Sequence, residues 1–199
     1  MAYACKHIGN GDFIPWESLE AASLTDTVDG AAPRLRTTVK ACWSDAALHV
    51  RFEYEDDHVV ATMTQRDDPL YEEDVVELFI DEEGAGRTYL EFEVSPINVV
   101  FDAIITLGDD RRPLADTAWD AEGLETNVGE TKQGMRYAEL HLPFVNFRRT
   151  PTDGTVWRWN AYRIDDDRDG VRHYSAWRPT GAVNFHVPER FDELRFVRG

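Results

Sequence analysis

The chain has 199 residues, 42% of them hydrophobic, and a formal net charge of −17 at pH 7. That length and apolar content suffice for one globular domain with a substantial core. The charge argues against nucleic acid or an anionic membrane as partner, because both are polyanions that a strongly acidic surface repels.

The opening "MAYACKHIGN" lacks the basic start and hydrophobic stretch of a signal peptide, and no apolar run reaches membrane-spanning length. The chain therefore reads as soluble, cytoplasmic as written or secreted if a leader was trimmed. Cys5 and Cys42 are the two cysteines. They either form one bridge from the N-terminal arm to a strand or remain separate thiols.

From residue 36 onward the chain reads as short strands separated by turns. "RTTVKACW" (36–43) leads through "SDAA" into "LHVRFEYE" (48–55), where Leu48, Val50, Phe52 and Tyr54 share one face. "VVATMT" (59–64) reads as a short third strand. In "DVVELFI" (74–80), Val76, Leu78 and Ile80 point one way and Val75, Glu77 and Phe79 the other. Glu77 is then a carboxylate among apolar neighbours, which requires either water or a partner. "TYLEFEV" (88–94) places Thr88, Leu90, Phe92 and Val94 inward, and Tyr89, Glu91 and Glu93 outward.

"VVFDAIIT" (99–106) follows the turn "SPIN", and the polar stretch 107–121 reads as a long loop. Further strands are expected at 124–129, 135–142, 155–164, 172–177 and 193–197, with a helical turn at 143–147. No stretch beyond about ten residues carries a helical stripe. Some ten strands at short spacing predict an all-β fold: a single-domain antiparallel β-sandwich of jelly-roll or immunoglobulin-like type spanning 1–199.

Enzymatic signatures are sparse. Nucleophile elbow, phosphate-binding glycine loop and dinucleotide fingerprint are missing, and the six histidines lack the close spacing of a zinc site. Glu91 and Glu93, about 7 Å apart along one strand face, would suit a glycosidase pair. Any solvent-facing strand produces the same alternation. In "IDDDRDG" (164–170), Asp165, Asp167 and Asp169 resemble the start of a calcium-binding turn without its downstream glutamate. Asx turns capping a tight hairpin explain the run equally well.

The six Trp, seven Tyr and ten Phe exceed what a core needs. Pyranose rings stack their C–H faces on aromatics while their hydroxyls seek charged and amide groups. Tyr71, in a loop beside Pro69, and Trp177, at a strand end before a proline-broken loop, fit that pattern. Glu77, on the strand after Tyr71, and Arg163, a charge among the tryptophans of "WRWNAYRI", supply the polar groups.

The strings "VKACWSDAALHVRFEYEDDHV", "RDDPLYEEDVVELFID", "YLEFEVSPINVVFDA", "WRWNAYRI" and "YSAWRPTGAVNFHVPERFDELRF" resemble, in this order, the carbohydrate-binding module family 9-like domains. The resemblance covers about residues 14 to 197. It implies a β-sandwich that binds xylan- or cellulose-type saccharide without catalysis, holding a ring between two aromatics, with calcium in structural roles. Carried over, Tyr71 and Trp177 are the two aromatics, Tyr71 replacing the usual tryptophan. Glu77, Glu93, Asn98 and Arg163 are the polar contacts. Such modules are typically attached to xylanases, so a separate glycoside hydrolase is an expected partner. Two other readings compete: a haem-binding sandwich of the related DOMON type, with Met63 and His141 as ligands, and a xylanase-like hydrolase using Glu91 and Glu93.

Overall fold

The computed structural model describes residues 2–11 and 13–198. Fourteen strands are present among the described residues: β1 (Tyr3–His7), β2 (Ala22–Ser23), β3 (Thr25–Asp26), β4 (Thr37–Trp43), β5 (Ala47–Tyr54), β6 (Val75–Asp81) and β7 (Thr88–Val94). They continue with β8 (Val100–Leu107), β9 (Pro113–Asp116), β10 (Glu125–Glu130), β11 (Arg136–Pro143), β12 (Val156–Asp166), β13 (Arg172–Ala176) and β14 (Asp192–Val197). The helices among the described residues are single 3-10 turns, and none is long and apolar enough to cross a membrane.

The strands form two layers. One runs β10-β11-β5-β4, with β2 added on β4; the other runs β14-β12-β6-β7-β8-β9, with β13 on β12 and β3 on β13. Their facing side chains make the main core, including Val50, Phe52 and Leu140 from one layer and Leu78, Phe92 and Trp159 from the other. This is the expected sandwich, and the alternation of residues 48–54 places Leu48, Val50, Phe52 and Tyr54 in its interior.

The layers are joined at β1, a strand not foreseen in the sequence. It pairs parallel with β14 (Tyr3↔Leu194 to Lys6↔Val197) and parallel with β4 (Lys6↔Cys42). The pairing is therefore parallel at this seam and antiparallel elsewhere, as the antiparallel sandwich expected from the sequence requires. Cys5 and Cys42 are both buried there as free thiols.

Two further expectations are corrected. Residues 59–64 form no strand, because side chains capture the amides that a ladder would use. Asp74 accepts from the Val60 N–H (2.7 Å), Glu73 from Thr62 (2.5 Å) and Asp68 from Thr64 (3.1 Å). The expected loop at 107–121 contains the exposed edge strand β9, antiparallel to β8.

His49 is buried on the outer face of the β10-β11-β5-β4 layer, between the Ser44 hydroxyl (3.0 Å) and His141 Nδ1 (2.9 Å). Burial, and then the nearby His141, push its pKa down to about 4 from an ordinary 6.5. The folded state thus binds fewer protons than the unfolded one in between. The stability involved is fully present above about 6.5 and is lost as pH falls toward 4. A His49→Gln variant should therefore lose about 2 kcal/mol less than wild type between pH 7 and pH 4 in urea denaturation. Parallel pH curves for the two proteins would refute this.

Candidate functional site

The outward face of the β12-β6-β7-β8 layer carries a second apolar cluster and a cavity of about 460 Å³. Strand register builds its floor. Tyr162 of β12 lies opposite Glu77 of β6, Glu77 opposite Glu93 of β7, and Glu93 opposite Phe101 of β8. One row across four strands therefore reads Tyr162, Glu77, Glu93, Phe101. The adjacent row brings Phe79 opposite Glu91. Side chains at every second position point to this face, so the alternation that fills the sandwich interior also sets three glutamates here.

Chain segments cover the face. Phe185 stacks on Tyr162 at 4.2 Å and 11° between planes, and the Tyr162 hydroxyl donates to the Phe185 carbonyl (3.0 Å). His186 Nδ1 pairs with the Tyr89 hydroxyl at 2.8 Å, and Phe191 packs edge-on against Phe79 and Tyr89. On the opposite rim, Pro69 introduces the 3-10 turn Leu70–Glu72, which presents Tyr71. Arg172 of β13 clamps that turn by donating to the Tyr71 and Glu72 carbonyls, while Asp166 holds its guanidinium (3.0 Å). Tyr71 is 48% exposed and stands edge-on to Phe101, its centroid 6.4 Å away.

The carboxylates beneath these rings are crowded. Glu77 is 2% exposed and Glu93 fully buried, and one oxygen from each of Glu77, Glu91 and Glu93 lies within 4.8 Å of the others. Glu77 Oε1 and both Glu93 oxygens have no hydrogen-bond partner of normal geometry. Burial raises all three carboxyls, Glu91 to about 7. Glu77 and Glu93 are driven further up by the neighbouring glutamates, which the Tyr71 backbone amide near Glu93 only partly opposes. Glu91 and Glu93, expected to face solvent, are instead roofed by the 185–191 segment and the Tyr71 turn.

Of the residues singled out from sequence, Tyr71, Glu77 and Glu93 come together. Trp177 does not join them. It is 7% exposed and part of the core between the layers, 5.1 Å from Trp159 and edge-on to Tyr3, under the Arg178 guanidinium at 4.1 Å. The pairing of Tyr71 with Trp177 is thus not formed. Arg163 is buried on the face of β12 opposite Tyr162 and Ile164. It donates to the Glu55 carbonyl (2.7 Å) and Thr37, pairs with Asp165, and lies over Tyr54. Asn98 occupies the exposed turn after β7 with φ of 66°, its amide reaching the Thr126 carbonyl at 3.4 Å. An asparagine tolerates that left-handed backbone, which accounts for its place.

Asp165, Asp167 and Asp169 do not converge. Asp165 is held by Arg34 (2.7 Å) and Arg163. Asp167 accepts from the Asp169 and Val171 amides and from His173, which holds its carboxyl well below the usual range. This is the Asx-turn hairpin. Met63 packs against the outward-face cluster while His141 sits on β11 of the other layer, so the two are not brought together as haem ligands.

Sequence reasoning left Tyr174, Phe185, His186 and Arg172 out of the site, although all line the cavity. Their only signal was the clustering of aromatics in "RHYSAW" and "AVNFHVP".

A sequence profile described as carbohydrate family 9 binding domain-like matches residues 9–198. An Arthroderma benhamiae protein described as an extracellular protein is 26% identical over 197 residues, covering 92% of this chain and 87% of its own. Among solved structures, a carbohydrate-binding module of family 9 from Caldicellulosiruptor kristjanssonii, in complex with cellotriose, superposes with a TM-score of 0.70 at 18% identity. That match covers 100% of this chain and 95% of the other. The same organism's family 9 module in complex with glucose gives 0.65 at 17% identity, covering 97% and 96%. A Bacteroides uniformis protein solved as a candidate carbohydrate-binding protein gives 0.77 at 18%, covering 98% of each chain. With nearly its whole length matched, the chain belongs to the carbohydrate family 9 binding domain-like family.

Proposed function

We propose that this protein binds saccharide non-catalytically in the outward-face cavity. The observation that carries the reading is the cavity's composition: rings of Tyr71, Phe101, Tyr174 and Phe185 stand around buried carboxyls that lack partners. Aromatic faces suit the C–H surfaces of a pyranose, and unsatisfied carboxyl oxygens suit its hydroxyls, which would repay part of their desolvation. A volume of about 460 Å³ matches a ligand of one to three sugar rings. Family membership, and the glucose and cellotriose held by the two solved modules, support the same ligand class. In this reading Tyr71, with Phe185 or Tyr174 across the cavity, takes the stacking role, and Trp177 supports the fold. Xylan-type chains and a separate glycoside hydrolase partner are part of the proposal at the level of ligand class alone.

Calorimetric titration with glucose and cellotriose tests it. Tyr71→Ala should weaken binding by about 10-fold or more, since a stacked ring contributes roughly 0.5–1.5 kcal/mol beyond its buried area. Being half exposed, the residue should change thermal stability little. Unchanged heats in the variant, or no heat from wild type with either sugar, would reject the reading.

A further inference from the structure

We infer that Glu77, Glu91 and Glu93 together form a binding site for a single hard divalent cation at the floor of the cavity.

Geometry comes first. Carboxylate oxygens from all three residues lie within 4.8 Å of one another. Oxygens that close leave room for one ion among them, at no more than about 2.8 Å from each and so within a small side-chain adjustment of the roughly 2.0–2.6 Å that magnesium and calcium require. The donors are carboxyl oxygens from two adjacent strands, fixed by the Glu77↔Glu93 and Phe79↔Glu91 pairings, so the set is rigid at the backbone. An all-oxygen donor set without thiol or imidazole suits hard ions such as magnesium, calcium and manganese.

The second observation is independent of the clustering. Glu77 Oε1 is buried without a hydrogen-bond partner, and Glu93 Oε1 and Oε2 have none of normal geometry, only the Tyr71 amide and the Glu91 carboxyl lying near; both residues are more than nine-tenths buried. Other buried acids of the protein are matched. Asp102 meets Arg66, and Asp165 meets Arg34 and Arg163. Asp81 accepts the amides of Glu83, Gly84 and Gly86, and Asp74 those of Val60 and Asp166. Among the described residues no arginine or lysine pairs with the three glutamates. The cationic side chain that lines the cavity, Arg172, is committed to Asp166 and the Tyr71 turn.

A second acidic group shows the contrast. Asp67, Asp102 and Asp120 are equally close, but Arg66 reaches both Asp102 and Asp120, and Asp102 also accepts the Ala121 amide. That group already contains its cation. The glutamate group opens onto the cavity through Glu77 and Glu91, so an ion can enter, displace carboxyl protons to solvent and keep water on its outer positions.

The test uses the full chain, stripped with chelator and titrated at pH 8 with Mn²⁺, read by electron paramagnetic resonance, without saccharide. Tb³⁺ luminescence sensitised by the cavity tyrosines gives a second reading. Wild type should bind one ion. Glu93→Gln and Glu77→Gln should each weaken it by about 10-fold or more, the cost of removing one anionic ligand from a three-ligand set. Asp167→Asn, in the hairpin, should leave it unchanged. Near-UV circular dichroism of each variant checks folding, and two separate glutamine variants guard against one failing to fold. No ion bound by wild type, leaving protons alone as the neutralising partners, overturns the inference. So does an ion held equally by all four proteins. Because no sugar enters the titration, its failure is separate from a failure of the saccharide reading.

Discussion

Trp177→Ala is expected to lower unfolding stability by about 4 kcal/mol, the cost of removing a large aromatic from a packed interior. In a chain of this size that corresponds to a fall in Tm on the order of 10 °C. The indole is lodged between Trp159 and Tyr3, with the Arg178 guanidinium over its face, so truncation leaves a void among groups anchored by other strands. Little can collapse inward, because Trp159 lies on β12, paired to β14 on one side and β6 on the other, and Tyr3 on the seam strand β1. Urea denaturation read by tryptophan fluorescence measures the loss. Near-wild-type stability combined with lost sugar binding would return Trp177 to the role of a ligand platform and contradict its burial.

Glu93→Gln should shift stability the other way, raising it by about 2 kcal/mol at pH 8 in the presence of chelator. Three carboxyls share one buried spot with no basic partner, and glutamine keeps the shape of Glu93 while removing the cost of burying its charge or of taking up a proton on folding. Its amide also brings two donors toward the oxygens of Glu77 and Glu91, which now lack them. Sugar binding should weaken in the same variant, because a site held in an unfavourable electrostatic state for function commonly trades stability for it. Chemical denaturation of both proteins at pH 8 decides the point. A destabilised Glu93→Gln would mean that Glu93 has a compensating partner and the cluster is not strained.

How much of this was legible in the sequence follows from what alternation encodes. The strands at 48–54, 75–81 and 88–94 could be read because one face of each is apolar, and their inward residues do fill the core. Glu77 was legible as an anomaly because its neighbours on the same face, Val75 and Phe79, are apolar. Glu91 and Glu93 were not. A strand face bearing charges looks solvent-facing, and nothing local shows that residues almost 100 positions later will cover it. Trp177 fails for a similar reason, since an aromatic at a strand end before a proline reads alike on a cleft or in a core. Strand β1 escaped notice because "YACKH" is short, and both of its partners are remote in sequence. Residues 59–64 carry β-branched side chains, but the acids at 68, 73 and 74 outcompete a ladder for their amides.

The seam strand has a mechanical consequence. Residues 3 to 6 run parallel to residues 194 to 197, so the two chain ends leave this pair at opposite extremities. Tension applied between them would load all the rungs in shear at once, where an antiparallel pair pulled from one end would unzip rung by rung. Rupture of this one pair would also break the hydrogen-bonded link between the two layers. The contact that closes the sandwich is therefore the one that a force along the chain would meet first, in the orientation best able to resist it.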